Sequence, residues 1–260
     1  MSAECVLLEI TDSIATITLN RPAAYNAITP ELNSKLQEIL IKAEAAPQVK
    51  VIVLTGAGKA FCAGGDLGSL AGLKDLKASR NFIAESGKTA ALIYRSSKPV
   101  IAMVNGVAAG AGFNIALLSD IVICAESARF AQSFAKIGLI PDWGGHYLLP
   151  RAIGLHKAKE LMFTAELIDA EHALRLGIVN KVVKDDQLRT VTYDYARKLA
   201  NSASLALGII KSIVNQSVTL TLENTLALET DAQTLCLQSQ DCQEGIRAFR
   251  EKRPANFKGY

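Results

Sequence analysis

Between Lys98 and Asp120 the chain carries no charged residue. A stretch of that length either crosses a bilayer or lies inside a folded core, because only those two surroundings keep it from water. Asn105 and Asn114 fall within it, and Gly106, Gly110 and Gly112 crowd its middle, which argues against a spanning helix. The pattern reads as a buried strand over 99–104, a glycine-rich turn over 105–111 and a short buried helix over 112–118.

The same design appears earlier. Residues 51–55, Val-Ile-Val-Leu-Thr, form a continuous β-branched run. Helical patterns flank it, so both faces of the strand are covered, as in a parallel α/β sheet. The preceding helix has Thr29 as its cap and Pro30 at its first position, with Leu32, Leu36, Ile39, Leu40 and Ala43 on one stripe. Alternating residues 6–10 and 14–19, split by Thr11-Asp12-Ser13, predict an opening hairpin, and 121–125 predict another buried strand. From about His156 the chain turns largely helical, and beyond about residue 195 it carries long amphipathic segments without strand patterns. The first 195 residues are therefore expected to form an α/β core, and 196–260 a helical appendage.

Composition narrows the function. With 28 Lys+Arg against 25 Asp+Glu, the net charge of +3 is too slight for a nucleic-acid-binding surface. Cysteines at 5, 62, 124, 236 and 242 form no C-x-x-C pair and cannot all be matched, which favours a reducing compartment. The first residues lack the cationic start and apolar core of a signal peptide, and Lys-Gly-Tyr at the end is no peroxisomal address. A cytoplasmic protein with a small-molecule partner, and no membrane or nucleic acid, is expected.

Several chemistries are excluded by residue type. The turn after residue 55 contains Gly56-Ala57-Gly58-Lys59, but Ala60 stands where a Walker loop needs Ser or Thr, and Phe61 where a dinucleotide fingerprint needs its third glycine. There is no G-x-S-x-G, no H-E-x-x-H, and none of the three histidines is spaced with a carboxylate or cysteine as a metal site requires. Two small-residue turns at the carboxyl ends of strands remain, and their backbone amides are the available tools. Ala111 and Gly112 open a helix, so their N–H groups either face an anionic ligand or simply allow tight strand–helix packing.

Five ordered motifs carry a resemblance. Asn20-Arg21-Pro22 with Asn26-Ala27, Phe61 to Leu67, Asn105 to Gly112, Ser119-Asp120, and Gly138-Leu139-Ile140-Pro141-Asp142-Trp143-Gly144-Gly145 together resemble the enoyl-CoA hydratase/isomerase (crotonase) superfamily over nearly the whole chain. The resemblance implies a spiral of ββα units, a helical C-terminal trimerisation region in a homotrimer or hexamer, and a site for acyl-coenzyme A thioesters. No separate cofactor or metal is implied, since coenzyme A enters as part of the substrate. Ala63 and Ala111 match the positions whose amides bind the thioester oxygen, a role that asks only for a small side chain. The two glutamates of the family's hydratases align with Asn114 and Phe134, neither of which exchanges a proton at neutral pH.

Asp142, read from its spacing, is a turn or cap residue. In its family context it resembles the catalytic aspartate of the ring-1,2-epoxyphenylacetyl-CoA isomerase-like branch, and Trp143 beside it would partly desolvate the carboxylate. A dehalogenase branch also uses an aspartate there, but it has a tryptophan at the position of Phe134 and an upstream histidine that this chain lacks. The resemblance further places the coenzyme near Ala24, Ala60, Phe61, Gly65, Asp66 and Leu67, with Gly110 and Trp143 at the site. It places Phe257 and Lys258 over the nucleotide of a neighbouring subunit. Leu70, Leu73, Phe82 and Ile83 are the expected acyl pocket. The expectation is an isomerase acting through a thioester enolate. Its alternatives are a hydratase with water held by Asp142 and Asn114, and a non-catalytic acyl-CoA-binding paralogue.

Overall fold

The computed structural model describes residues 4–259, and expectations about residues 1–3 and 260 lie outside them. β1 (Val6–Thr11) and β2 (Ile14–Leu19) form the opening antiparallel hairpin. α1 (Pro30–Ala45) begins where Thr29 Oγ1 accepts the Leu32 amide at 3.2 Å, and the stripe from Leu32 to Ala43 is buried. β3 (Val51–Gly56) follows, buried along its whole length.

The glycine-rich turns are more structured than their sequence suggests. Within the first lies β4 (Ala60–Cys62), followed by α2 (Leu67–Ala71) and α3 (Leu76–Arg95). After β5 (Val100–Val104), the second holds β6 (Val107–Ala109), and α4 (Ala111–Leu118) starts one residue earlier than expected. β7 (Ile121–Ala125) is likewise followed by β8 (Arg129–Ala131) and a 3-10 turn, Ser133–Ile137. Three-residue strands are too short to show a period of two, so they read as loops. The result is the ββα order that the resemblance implies, repeated without any repeat in sequence.

Helices begin before His156, with α5 (Gly145–Ile153) and α6 (Leu155–Thr164). Short strands β9 (Ile168–Asp169) and β10 (Lys181–Val183) then enclose α7 (Ala170–Leu176). The chain ends in α8 (Leu188–Ala200), α9 (Ser204–Ser217), α10 (Leu222–Gln238) and α11 (Gln240–Glu251). One sheet runs β1-β2-β3-β5-β7-β10, parallel beyond the hairpin, and a second runs β4-β6-β8-β9. Along β3, Ile52 and Leu54 join the core beneath α1, while Val51 and Val53 pack with Ala196 and Ala200 of α8. Both faces are dry, which is why the strand has no polar alternation.

α9 and α10 contribute no buried residue. α9 is tethered where Lys211 Nζ meets Asp120 Oδ2 at 2.8 Å, an oxygen that also accepts the Val100 amide at 2.7 Å. Asn215 and Tyr94 exchange two further hydrogen bonds nearby. No described helix is long and apolar enough to cross a membrane.

The two small-residue turns touch backbone to backbone. A Cβ on Gly112 would lie 2.1 Å from the Cys62 carbonyl oxygen, whereas one on Gly87, in the exposed face of α3, would meet nothing within 4 Å. Gly112→Ala is expected to cost at least about 3 kcal/mol, and Gly87→Ala to stabilise by about 0.5–1 kcal/mol. Urea unfolding of both variants checks the pair.

Candidate active site

Asn26 organises the first turn. Fully buried at φ 57, it accepts from the Arg21 amide at 2.9 Å through Oδ1, and its Nδ2 donates to the carbonyls of Ala57, Ala60 and Phe61 at 2.8–3.2 Å. A short polar side chain that tolerates the left-handed conformation is what this position needs. Asp66 closes the turn. It caps α2 through the Ser69 amide at 2.9 Å and pairs with Arg21 at 3.4 Å. The Ser69 amide, then the Ser69 hydroxyl and Arg21, hold its carboxyl below the usual range.

The turn runs beside the start of α4. A cavity of about 420 Å³ opens there, lined by Gly64, Gly65, Gly110 and Ala111 together with Phe134, Asp142 and Trp143. Leu67, Leu70, Phe82 and Ile83 line its apolar end together with Ile137 and Leu139. Leu73, expected with them, is not part of the wall. The other polar side chains in the lining are Ser86, Ser133 and Lys136. Ser86, Ser133, Lys136 and Ile137 carry no sequence signal for this position, since nothing in a helix face or a short 3-10 turn marks a cavity.

The amide donors differ from expectation at one position. The Ala63 N–H is already committed to the Tyr25 carbonyl at 2.9 Å, so Ala63 lines the cavity but has no donor left to offer. The Gly64 N–H meets Cys62 Sγ at 3.4 Å. Among the described residues nothing accepts from the Gly65 N–H, or from that of Ala111 at the first position of α4. The available pair is therefore Gly65 and Ala111. Gly65 was expected only as a coenzyme contact, because sequence does not reveal which amide of a tight turn bends inward. Gly110, at φ 52, makes the sharp entry into α4. Behind it the Cys62 thiol is fully buried and pushed up to about 12 by burial, so it is no nucleophile.

Asp142 presents the one carboxylate of the cavity. Its Oδ1 is buried without a hydrogen-bond partner, and burial pushes the carboxyl from 3.8 up to about 6 against a small opposing effect of its own amide. Trp143 beside it is 4% exposed and sits at φ 47. Asn114 does not face the cavity. It is fully buried, with Nδ2 donating to the Asp142 backbone carbonyl at 2.8 Å and Oδ1 accepting from Gln132 at 2.7 Å. The expected substrate contact at Asn114 is thus corrected, and so is its role as a water holder.

Other expected contacts fall outside the cavity wall. Ala60 and Phe61 are fully buried core residues of β4, closed off by packing from any ligand. Ala24 is half-buried in the Arg21–Asn26 turn, where its carbonyl accepts the Ala27 amide at 3.0 Å. Phe257 packs near Gly245, and the Lys258 amide donates to Asp241 Oδ1 at 2.6 Å, so in this chain both follow α11 and fold back against it. No described group of three or more His, Cys, Asp or Glu could hold a metal ion.

The raised carboxyl has a consequence for stability. A group more readily protonated when folded adds stability below its unfolded value and loses it as pH rises through the folded one. Asp142→Asn should therefore be more stable than the parent above pH 6, by on the order of 2 kcal/mol, with the difference vanishing toward pH 4. Thermal melts of both proteins from pH 4 to 8 check this.

Comparison with known proteins follows the same lines. The family model described as enoyl-CoA hydratase/isomerase matches residues 9–260. The 1,2-epoxyphenylacetyl-CoA isomerase of Escherichia coli K12 is 40% identical over 262 residues, covering 98% of this chain and 99% of its own. The crotonyl-CoA hydratase of Syntrophomonas wolfei is 36% identical over 258 residues, covering 99% of each. Among solved structures, an enoyl-CoA hydratase from Bacillus anthracis superposes with a TM-score of 0.95 at 33% identity, covering 99% of this chain and 100% of its own. With its ββα spiral, paired amides and full-length matches, the chain belongs to the enoyl-CoA hydratase/isomerase family.

Proposed function

We propose that the protein is an acyl-CoA isomerase that moves a double bond, or opens a strained ring, through a thioester enolate. The observation that carries this reading is the solitary carboxylate. Asp142 is the one acid lining the cavity, and with a carboxyl near 6 it is ionised at neutral pH yet basic enough to abstract a proton. A 1,3-shift needs no more than that. The carboxylate takes a proton from one carbon, the electron pair moves into the thioester to form the enolate, and the carboxyl, once its proton has exchanged with solvent, delivers a proton to the carbon two positions away. Gly65 and Ala111 are the donors proposed to receive the negative oxygen, each able to lower the barrier by about 3–4 kcal/mol.

Hydration is the second reading, supported by the hydratase names among the relatives. It asks for two groups to hold and activate water and to supply a proton to the α carbon, and Asn114 is turned away from the cavity. The apolar end formed by Leu67, Leu70, Phe82 and Ile83 suits a hydrocarbon acyl chain. Uncovered Ile210, Val214, Leu222 and Leu226 on α9 and α10 support a homotrimer or hexamer built through residues 196–260, with a neighbour's Phe257 and Lys258 near the nucleotide. A cytoplasmic location and the absence of a separate cofactor complete the proposal.

Incubation with trans-2-hexenoyl-CoA and trans-3-hexenoyl-CoA in deuterated water tests it. Deuterium at the α or γ carbon with a shifted double bond and no added mass of water is expected, with turnover about 10²–10⁴ lower in Asp142→Asn. Gain of one water would establish the hydratase instead. Binding with neither exchange nor addition would mark a non-catalytic paralogue.

A further inference from the structure

We infer that Asn114 and Gln132 form a buried positioning pair that aims Asp142 by gripping its main chain, an assignment that rests on Asp142 being the base. Three features converge on the segment after Pro141. Trp143 and Gly144 adopt successive left-handed conformations, at φ 47 and 76, so the backbone reverses immediately after the carboxylate. The Asp142 carbonyl is held twice, by the Gly145 amide at 2.9 Å and by Asn114 Nδ2 at 2.8 Å. The turn also lies flat against Asn114, since a Cβ on Gly145 would come within 2.5 Å of that nitrogen.

The direction of the Asn114 amide is set from behind. Gln132 Nε2 donates to Asn114 Oδ1 at 2.7 Å, which leaves Nδ2 as the end that meets the carbonyl. Both side chains are fully buried, so neither can borrow a partner from water. Gln132 has no acceptor role of its own, because its Oε1 is without a partner. A polar group retained in the core with one end unsatisfied costs stability, and orienting Asn114 is the work its other end performs. A carboxylate in place of Asn114 would set oxygen against the Asp142 carbonyl. In this chain the position serves the turn and is not available for proton transfer.

The consequence is geometric. Asp142 Oδ1 has no hydrogen-bond partner, and the one hydrogen-bonding group that acts on the carboxyl is the residue's own amide, so the aim of the carboxylate follows the backbone that Asn114 holds. Loosening the turn should slow the proton step more than it weakens binding. It should also let water reach the carboxylate, which lowers its pKa.

The test compares Asn114→Ala, Gln132→Leu and Asp142→Asn on trans-3-hexenoyl-CoA, reading kcat, KM, the acid limb of the kcat profile and the melting temperature. Gln132→Leu keeps the volume and exchanges one unsatisfied buried oxygen, Gln132 Oε1, for another, Asn114 Oδ1, and the melting temperature read beside kcat tells a loss of folding from a loss of aim. For Asn114→Ala the expected result is a kcat at least about tenfold lower, KM within about threefold, and an acid limb displaced downward from the parent's. Gln132→Leu should change the same quantities in the same direction, by less. If both variants melt lower but keep the parent's kcat per folded site and its acid limb, the pair is merely structural and the inference falls. If Asp142→Asn retains turnover, it is the reading of Asp142 as base that fails.

Discussion

The site exists because two turns are pressed together with no side chain between them. Gly112 leaves no room for a Cβ against the Cys62 carbonyl, and Gly106 is equally tight against Lys59, where a Cβ would stand 2.1 Å from the carbonyl oxygen. This contact brings the first turn, which carries Gly65, against the N-terminus of α4, which carries Ala111. Each turn belongs to a separate ββα unit, so the donor pair is a product of the way successive units stack. Asn26 holds one partner in place by tying three carbonyls of the first turn to the Arg21–Asn26 bend.

The cavity beside that contact is lined by a single carboxylate. Desolvation governs Asp142: with Oδ1 buried and without a partner, its charged form is disfavoured and the carboxyl rises to about 6. Asp66, a few residues from Gly65, shows the contrary case. Bonded to Ser69 and Arg21, it is held below the ordinary range and spent on structure. Two aspartates, both within the motifs that the family resemblance rests on, thus shift in opposite directions because hydrogen bonds from Ser69 and Arg21 govern one and burial governs the other.

The large sheet was legible in the sequence because its strands are buried on both faces, which forces continuous β-branched runs at 51–55 and 121–125. The α1 cap at Thr29 was equally plain, since Ser or Thr before Pro and an apolar stripe is a local signal. The second sheet was not legible. β4, β6 and β8 are three residues each, made mainly of small side chains, and their pairing is decided by neighbours distant in the chain.

By itself the sequence determined the family-like motif order, the doubly covered parallel sheet, and the placing of one aspartate where a base could act, because each of these is written in local pattern or residue type. The tertiary structure alone decided which amides are free and which side chains face the cavity. Ala63 lost its donor to Tyr25 and Asn114 turned to the Asp142 carbonyl through partners supplied by other segments. A hydrogen bond has a single best partner in space, and no spacing along the chain records which partner arrives.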